Sequence, residues 1–243
     1  MEFQMNDKID DKVLKLAFPN EYSNLNSNKP KSVYQLGPLI SIYNLSNDVF
    51  NKMNLIVGDT LASKDKVRYG HHLAGQIDSE YLIPKDVMKD ADLVLYFENI
   101  MKCYLRDYYN SLKSINPLVH TVQSNIKINE FWIVEQFKYE YNPLHWHENC
   151  TLSAVMYLKV PKMTNKKNIP GKRNKAGNIT LVNSSSNPNQ SFESPFLTVL
   201  PKEKELYIFP GHLAHTVYPF DNDVRRLSVS FNATHITKGI PNG

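Results

Sequence analysis

A chain of 243 residues suits one large β-sandwich or barrel domain, and an apolar share of 42% supplies the side chains for a buried core. The net charge of +4 permits an anionic ligand but is too small to argue for nucleic acid. Cys103 and Cys150, the only cysteines, are too few for a disulfide framework and unlike a zinc cluster; with the polar start MEFQMNDKIDDKVLK they point to a soluble chain in a reducing, cytoplasmic setting, neither secreted nor membrane-spanning.

Residues 1–32 are rich in Asn, Asp, Lys and Ser, with one apolar cluster at Val13, Leu14, Leu16 and Phe18. They read as a loosely held arm with a helical turn or two, ahead of a single domain over 33–243. Residues 33–43 are strand-like, and Ser46 or Asn47 caps a helix whose apolar positions are Val49, Phe50, Met53 and Ile56. Residues 64–84 are polar with scattered apolar positions, and Pro84 closes them. Over 86–112 apolar residues recur at three- and four-residue steps, which predicts one long helix and makes 33–125 mostly helical.

After Pro117 the period falls to two. Strands are predicted over 127–139, 152–160, 178–183, 196–199, 206–209 and 226–232, separated by loops bearing Pro, Gly, Asn and Ser. Helices followed by short antiparallel strands give an α+β layout, with the helices covering one face of a sandwich or barrel. One loop stands out: between Lys159 and Lys175 lie Lys162, Lys166, Lys167, Lys172 and Arg173 and no acidic residue. It reads either as a solvated loop or as a basic flap that meets an anionic substrate.

His145 and His147 stand two positions apart in a strand-rich stretch, so both imidazoles can reach one ion. Imidazole suits iron, zinc, copper or nickel, and such a pair also occurs without any metal. His215, where an apolar strand re-enters after Pro210-Gly211, offers a third nitrogen, with His212 in the turn as its competitor. In RRLSVSFN, alternation places Arg226, Ser228, Ser230 and Asn232 on one face. An Arg and a Ser projecting together form a fork of donors suited to a carboxylate, unless Arg226 is a surface ion-pair partner and Arg225 takes its place.

The ordered set of HxH, LSAVMYLKVP, FPGHLAHTV and RLSVSFN resembles the 2-oxoglutarate and Fe(II)-dependent oxygenases, in particular a bacterial and phage branch with HxH before an LSGVYYL-like strand. YEYNPLH before the first histidine and AGNIT at 176–180 are similar to further stretches of that superfamily; the resemblance covers roughly 130–233, and GHHLAGQI at 70–77 adds a weaker match. It implies a double-stranded β-helix (jelly-roll) core over 126–236 with N-terminal helices packed on one face. It also implies His145 and His215 as iron ligands, Arg226 with Ser228 on the far carboxylate of 2-oxoglutarate, and Tyr139, Tyr141 or Tyr157 as a further donor to the cosubstrate. The implied cofactors are Fe(II), 2-oxoglutarate and molecular oxygen, and the implied reaction is hydroxylation of a small-molecule or peptide substrate with release of succinate and carbon dioxide.

The chain departs from the family at His147, where most members have Asp or Glu. The third ligand is then His147 itself, or Glu148, which faces the other way on an ideal strand. Two other readings fit fewer of the residues. One is a cupin-like metalloprotein with a three-His site; the other is a non-catalytic β-sandwich binding or viral structural protein.

Overall fold

The structure, a computed structural model, describes residues 32–35, 37–115, 124–165, 173–183 and 195–237. The expected N-terminal arm and Lys166, Lys167 and Lys172 of the basic loop lie outside the described residues. In chain order the strands are β1 (Ser32–Gln35), β2 (Leu39–Asn44), β3 (Ser79–Ile83), β4 (Ser124–Gln136), β5 (Asn142–His145), β6 (Leu152–Lys159), β7 (Ile179–Val182), β8 (Phe196–Val199), β9 (Glu205–Pro210), β10 (Ala214–Val217) and β11 (Arg226–Thr237). The helices are α1 (Asn47–Ala62), α2 (Lys85–Asp90) and α3 (Leu93–Ile115).

The strands pair antiparallel into a seven-stranded sheet of order β1-β2-β9-β6-β11-β4-β3 and a four-stranded sheet of order β5-β10-β7-β8. Period-two patterning decides what each face of the larger sheet does. Along β11, Leu227, Val229 and Phe231 enter an apolar cluster with Phe97 and Met101 of α3 and Val49 and Met53 of α1. The Phe231 ring lies 5.0 Å from both Phe97 and Phe131, centroid to centroid. The opposite face looks toward the smaller sheet, where Tyr157, Tyr207 and Phe209 pack with Ile179, Leu181 and Val217. No helix among the described residues is long and apolar enough to cross a membrane.

The helix at 47 starts as its cap residue dictates: the Ser46 hydroxyl accepts from the Val49 N–H at 3.3 Å. Two expectations need correction. The strand over 33–43 is a hairpin, β1 against β2, because Gly37 takes φ +84° and Pro38 supplies no N–H to continue a ladder. The helix over 86–112 is broken, because Asp92 sits at φ +61° between α2 and α3; Asp tolerates that conformation, and the Asp92 carbonyl accepts the first bond of α3, from Tyr96 at 3.2 Å. Residues 79–83, within the polar 64–84 segment, form strand β3 on the sheet's edge, so strands β1–β3 accompany the helices of the 33–125 part.

Candidate metal centre

β5 and β10 run antiparallel in the smaller sheet with His145 directly opposite His215. Opposite residues on paired strands put their side chains on one face, and the two rings stand 4.2 Å apart, centroid to centroid. β5 ends at His145, so the reading of His145 and His147 on one regular strand is corrected. His147 lies just beyond, and its N–H donates to the Gly211 carbonyl at 2.9 Å. That bond keeps its ring on the same side, 5.3 Å from His145 and 5.1 Å from His215. One nitrogen from each ring lies within 4.8 Å of the other two.

Two backbone carbonyls fix the tautomers. His145 Nδ1 lies 2.7 Å from the Pro143 carbonyl and His215 Nδ1 lies 2.9 Å from the Leu213 carbonyl. A carbonyl oxygen can only accept, so each Nδ1 carries the proton and each Nε2 keeps a free lone pair. Burial, with His145 and His147 as neighbours, lowers the His215 imidazole to about 3. Burial and His145 lower His147 to about 4, and burial lowers His145. At neutral pH the centre is three neutral imidazoles, the form that binds a transition metal.

The larger sheet closes the cavity, about 570 Å³, over which the histidines stand. Arg226, Ser228, Ser230 and Asn232 all line it, as their alternation predicted. Arg226 is 2% exposed; Nη1 donates to the Gly177 carbonyl at 3.2 Å, and the guanidinium carbon lies 5.6 Å from the Tyr157 ring centre. Its Nε has no hydrogen-bond partner among the described residues. Burial lowers this guanidinium and raises the Tyr157 hydroxyl to about 12. A buried cation with an unused donor facing a cavity is a place for an anion.

The remaining candidates separate by position. Arg225 is the ion-pair residue, 2.8 Å from Glu135, which leaves Arg226 for the cavity. His212 and Glu148 are exposed, and neither belongs to the three-nitrogen cluster. Tyr157 lines the cavity, but Tyr139 and Tyr141 do not. Tyr139 is 64% exposed at φ +69° in the turn after β4, with its ring beside Lys138 Nζ. Of the basic loop, the described Lys162 and Arg173 also lie outside the cavity wall. Sequence reasoning missed Tyr69, Glu80, Glu130 and Trp132 on that wall. Glu130 and Trp132 stand on the cavity face of β4 by simple alternation, a signal that was available; nothing in the sequence around Glu80 marks it.

Residues 130–232 match the family model described as "Putative 2OG-Fe(II) oxygenase". A search of curated protein sequences finds no match. Among solved structures, the non-heme alpha-ketoglutarate-dependent epimerase SnoN from nogalamycin biosynthesis aligns at TM-score 0.50 and 14% identity, over 83% of this chain and 82% of that one, and shares the fold. A Pseudomonas putida prolyl-4-hydroxylase aligns at TM-score 0.48 and 15% identity over 79% and 91% of the two chains. A Trichoplax adhaerens prolyl hydroxylase aligns at 0.47 and 12% over 92% and 90%. The matched segment holds every one of the ordered motifs from the first histidine pair to Arg226, so residues 130–232, which carry the three-histidine cluster, are similar to the 2OG-Fe(II) oxygenases.

Proposed function

We propose that His145, His147 and His215 hold Fe(II), that Arg226 with Ser228 and Tyr157 holds the far carboxylate of 2-oxoglutarate, and that the enzyme hydroxylates a C–H bond of its substrate. One observation carries this reading: a fully buried guanidinium with a spare donor shares a cavity with three neutral imidazoles, two of them held in one tautomer by backbone carbonyls. Iron with 2-oxoglutarate supplies the oxidising power, taken from oxygen as the cosubstrate loses carbon dioxide and becomes succinate. The protein's own part is placement. The Pro143 and Leu213 carbonyls aim two Nε2 lone pairs, and the Gly177 carbonyl with the Tyr157 ring steadies the guanidinium. Tyr157 keeps its proton at any ordinary pH and so presents a donor to a carboxylate.

The donor set fits iron but differs in charge from two histidines and a carboxylate. Three neutral ligands would leave the full charge of the metal to be balanced by the bound cosubstrate. A jelly-roll core backed by the N-terminal helices provides the rigid floor for this arrangement. The test is Arg226→Ala beside Arg226→Lys, with iron stoichiometry and 2-oxoglutarate affinity measured separately. Loss of a buried charged partner should weaken 2-oxoglutarate binding on the order of 100-fold in the alanine variant and less in the lysine variant, with one iron per chain retained in both. An unchanged 2-oxoglutarate affinity in Arg226→Ala would remove the anion site from the proposal.

A further inference from the structure

The half of the cavity away from Arg226 has its own chemistry, set by strand register. Glu80 of β3 pairs with Val134 of β4, Val134 with Ser228 of β11, and Ser228 with Tyr157 of β6. Partners directly across strands face the same way, so these four side chains form one row on the cavity side of the sheet. Tyr157 and Ser228 lie at the cosubstrate end. Glu80 is two strands beyond Ser228, about 10 Å away at the usual spacing of neighbouring strands. Glu130 lies on the same wall, and Arg226 is the one Lys or Arg on that wall among the described residues. The cavity is therefore cationic at one end and acidic at the other.

Glu80 is 2% exposed, yet its Oε2 has no hydrogen-bond partner among the described residues. Its neighbours are already engaged. Glu140 accepts the N–H groups of Asp78 at 3.0 Å and Phe137 at 2.7 Å, and Arg68 pairs with Asp78 at 3.2 Å. The 70–75 segment lies directly over the carboxylate: a Cβ added to Gly75 would stand 3.1 Å from Glu80 Oε1 and 2.6 Å from Asn142 Oδ1, so only glycine allows this approach. Burial and then Glu140 raise the Glu80 carboxyl to about 7, as expected where no cation compensates the charge.

Rings flank the acids. Tyr69 donates its hydroxyl to Glu130 Oε1 at 2.8 Å. Its ring lies 5.7 Å from Trp132 and 5.0 Å from His72, and Trp132 lies 6.1 Å from His147. A shelf of aromatic faces thus runs from the metal centre outward beside two carboxylates. Negative ring faces and carboxylates both attract a cation and repel an anion.

We infer that the substrate carries a protonated amine or guanidinium, received by Glu80 and Glu130 against the rings of Tyr69 and Trp132, while the carbon to be oxidised lies at the three-histidine centre. This rests on the oxygenase reading and names the substrate class of the same site. It replaces the anionic substrate that the basic loop had suggested.

The experiment is calorimetric titration of the iron- and 2-oxoglutarate-loaded enzyme without oxygen. The probes are agmatine for a free small molecule and a blocked arginine pentapeptide for a peptide, each against a neutral counterpart in which a urea replaces the guanidine. At least one cation should bind roughly tenfold or more tightly than its neutral counterpart, as a charge-assisted contact to a buried acid requires. The better of the two identifies the source. Glu80→Gln and Glu130→Gln, with folding checked by circular dichroism, should each erase most of that preference. Equal binding of cation and counterpart, no binding of either, or a preference untouched in both variants overturns the inference. Iron and 2-oxoglutarate binding by the unaltered enzyme in the same buffer judges the oxygenase reading on its own. If both bind and charge does not matter, only the cation subsite fails.

Discussion

Along β11, Leu227, Val229 and Phe231 are buried among helix side chains, while Arg226, Ser228, Ser230 and Asn232 look into the cavity from the other side. The two faces are built from alternate residues of one strand, yet they solve opposite problems. The first removes apolar surface from water, roughly 1.5–3 kcal/mol for each fully buried large side chain. The second buries polar groups and leaves some without a partner among the described residues, Arg226 Nε and Asn232 Oδ1 on β11 itself and Glu80 Oε2 on the same cavity from β3. An unmet buried polar group destabilises a fold unless a ligand meets it. One face accordingly carries stability, and the other holds groups in readiness for ligands.

That division predicts which substitutions abolish function without unfolding the chain. The largest effect belongs to the histidines: His147→Ala or His215→Ala should drop bound iron from one per chain to none detectable, read by metal analysis after gel filtration. Glu148→Ala, outside the cluster, should keep full stoichiometry, and His147→Asp should restore binding with a carboxylate as third ligand. If Glu148→Ala lost the metal and His147→Ala kept it, the ligand set would be wrong.

The next largest effect is on the opposite face. Phe231→Ala should cost about 3–5 kcal/mol and be seen as a large fall in the denaturant midpoint, because the Phe97–Phe131–Phe231 cluster cannot close over the gap. Its neighbour Ser230→Ala, on the cavity face, should shift stability by only about 0.5 kcal/mol. Similar losses at the two positions would mean that the cavity face is part of the core.

How much of this could be read from the residues follows from the same contrast. Alternation is visible wherever one face is apolar, so Arg226, Ser228 and the packed side of β11 were legible, as were the α1 cap and the existence of a third histidine ligand candidate. β3 was not, because SEYLI carries a buried glutamate where a half-buried strand usually shows apolar or β-branched residues. The break at Asp92 was hidden because the helical stripe continues through it. Tyr139 misled for a related reason: a residue's place in a turn depends on backbone conformation, and at its positive φ its N–H donates to the carbonyl of Phe220 at 2.7 Å, far away in sequence.

The smallest effect tests whether the cavity face is held in readiness at all. Glu80 has its carboxyl raised from 4.5 to about 7, by burial first and by Glu140 second. Between those values the folded chain keeps a proton that the unfolded chain releases. Its contribution to stability is fully present below about 4.5 and is lost as pH rises through about 7. The buried histidines act with the opposite sign. Lowered from 6.5 to about 4 at His147 and about 3 at His215, they contribute above 6.5 and lose that contribution as pH falls. A single melting curve of the metal-free protein mixes the two, so the informative quantity is a difference. Glu80→Gln stays neutral at every pH, and its stability relative to the unaltered protein should rise steadily from pH 4.5 to pH 7. A flat difference over that range would mean that Glu80 is not strained in the free enzyme. Saturating agmatine should flatten the rise, because a cation beside the carboxylate lets it ionise in the folded state as it does in the unfolded one.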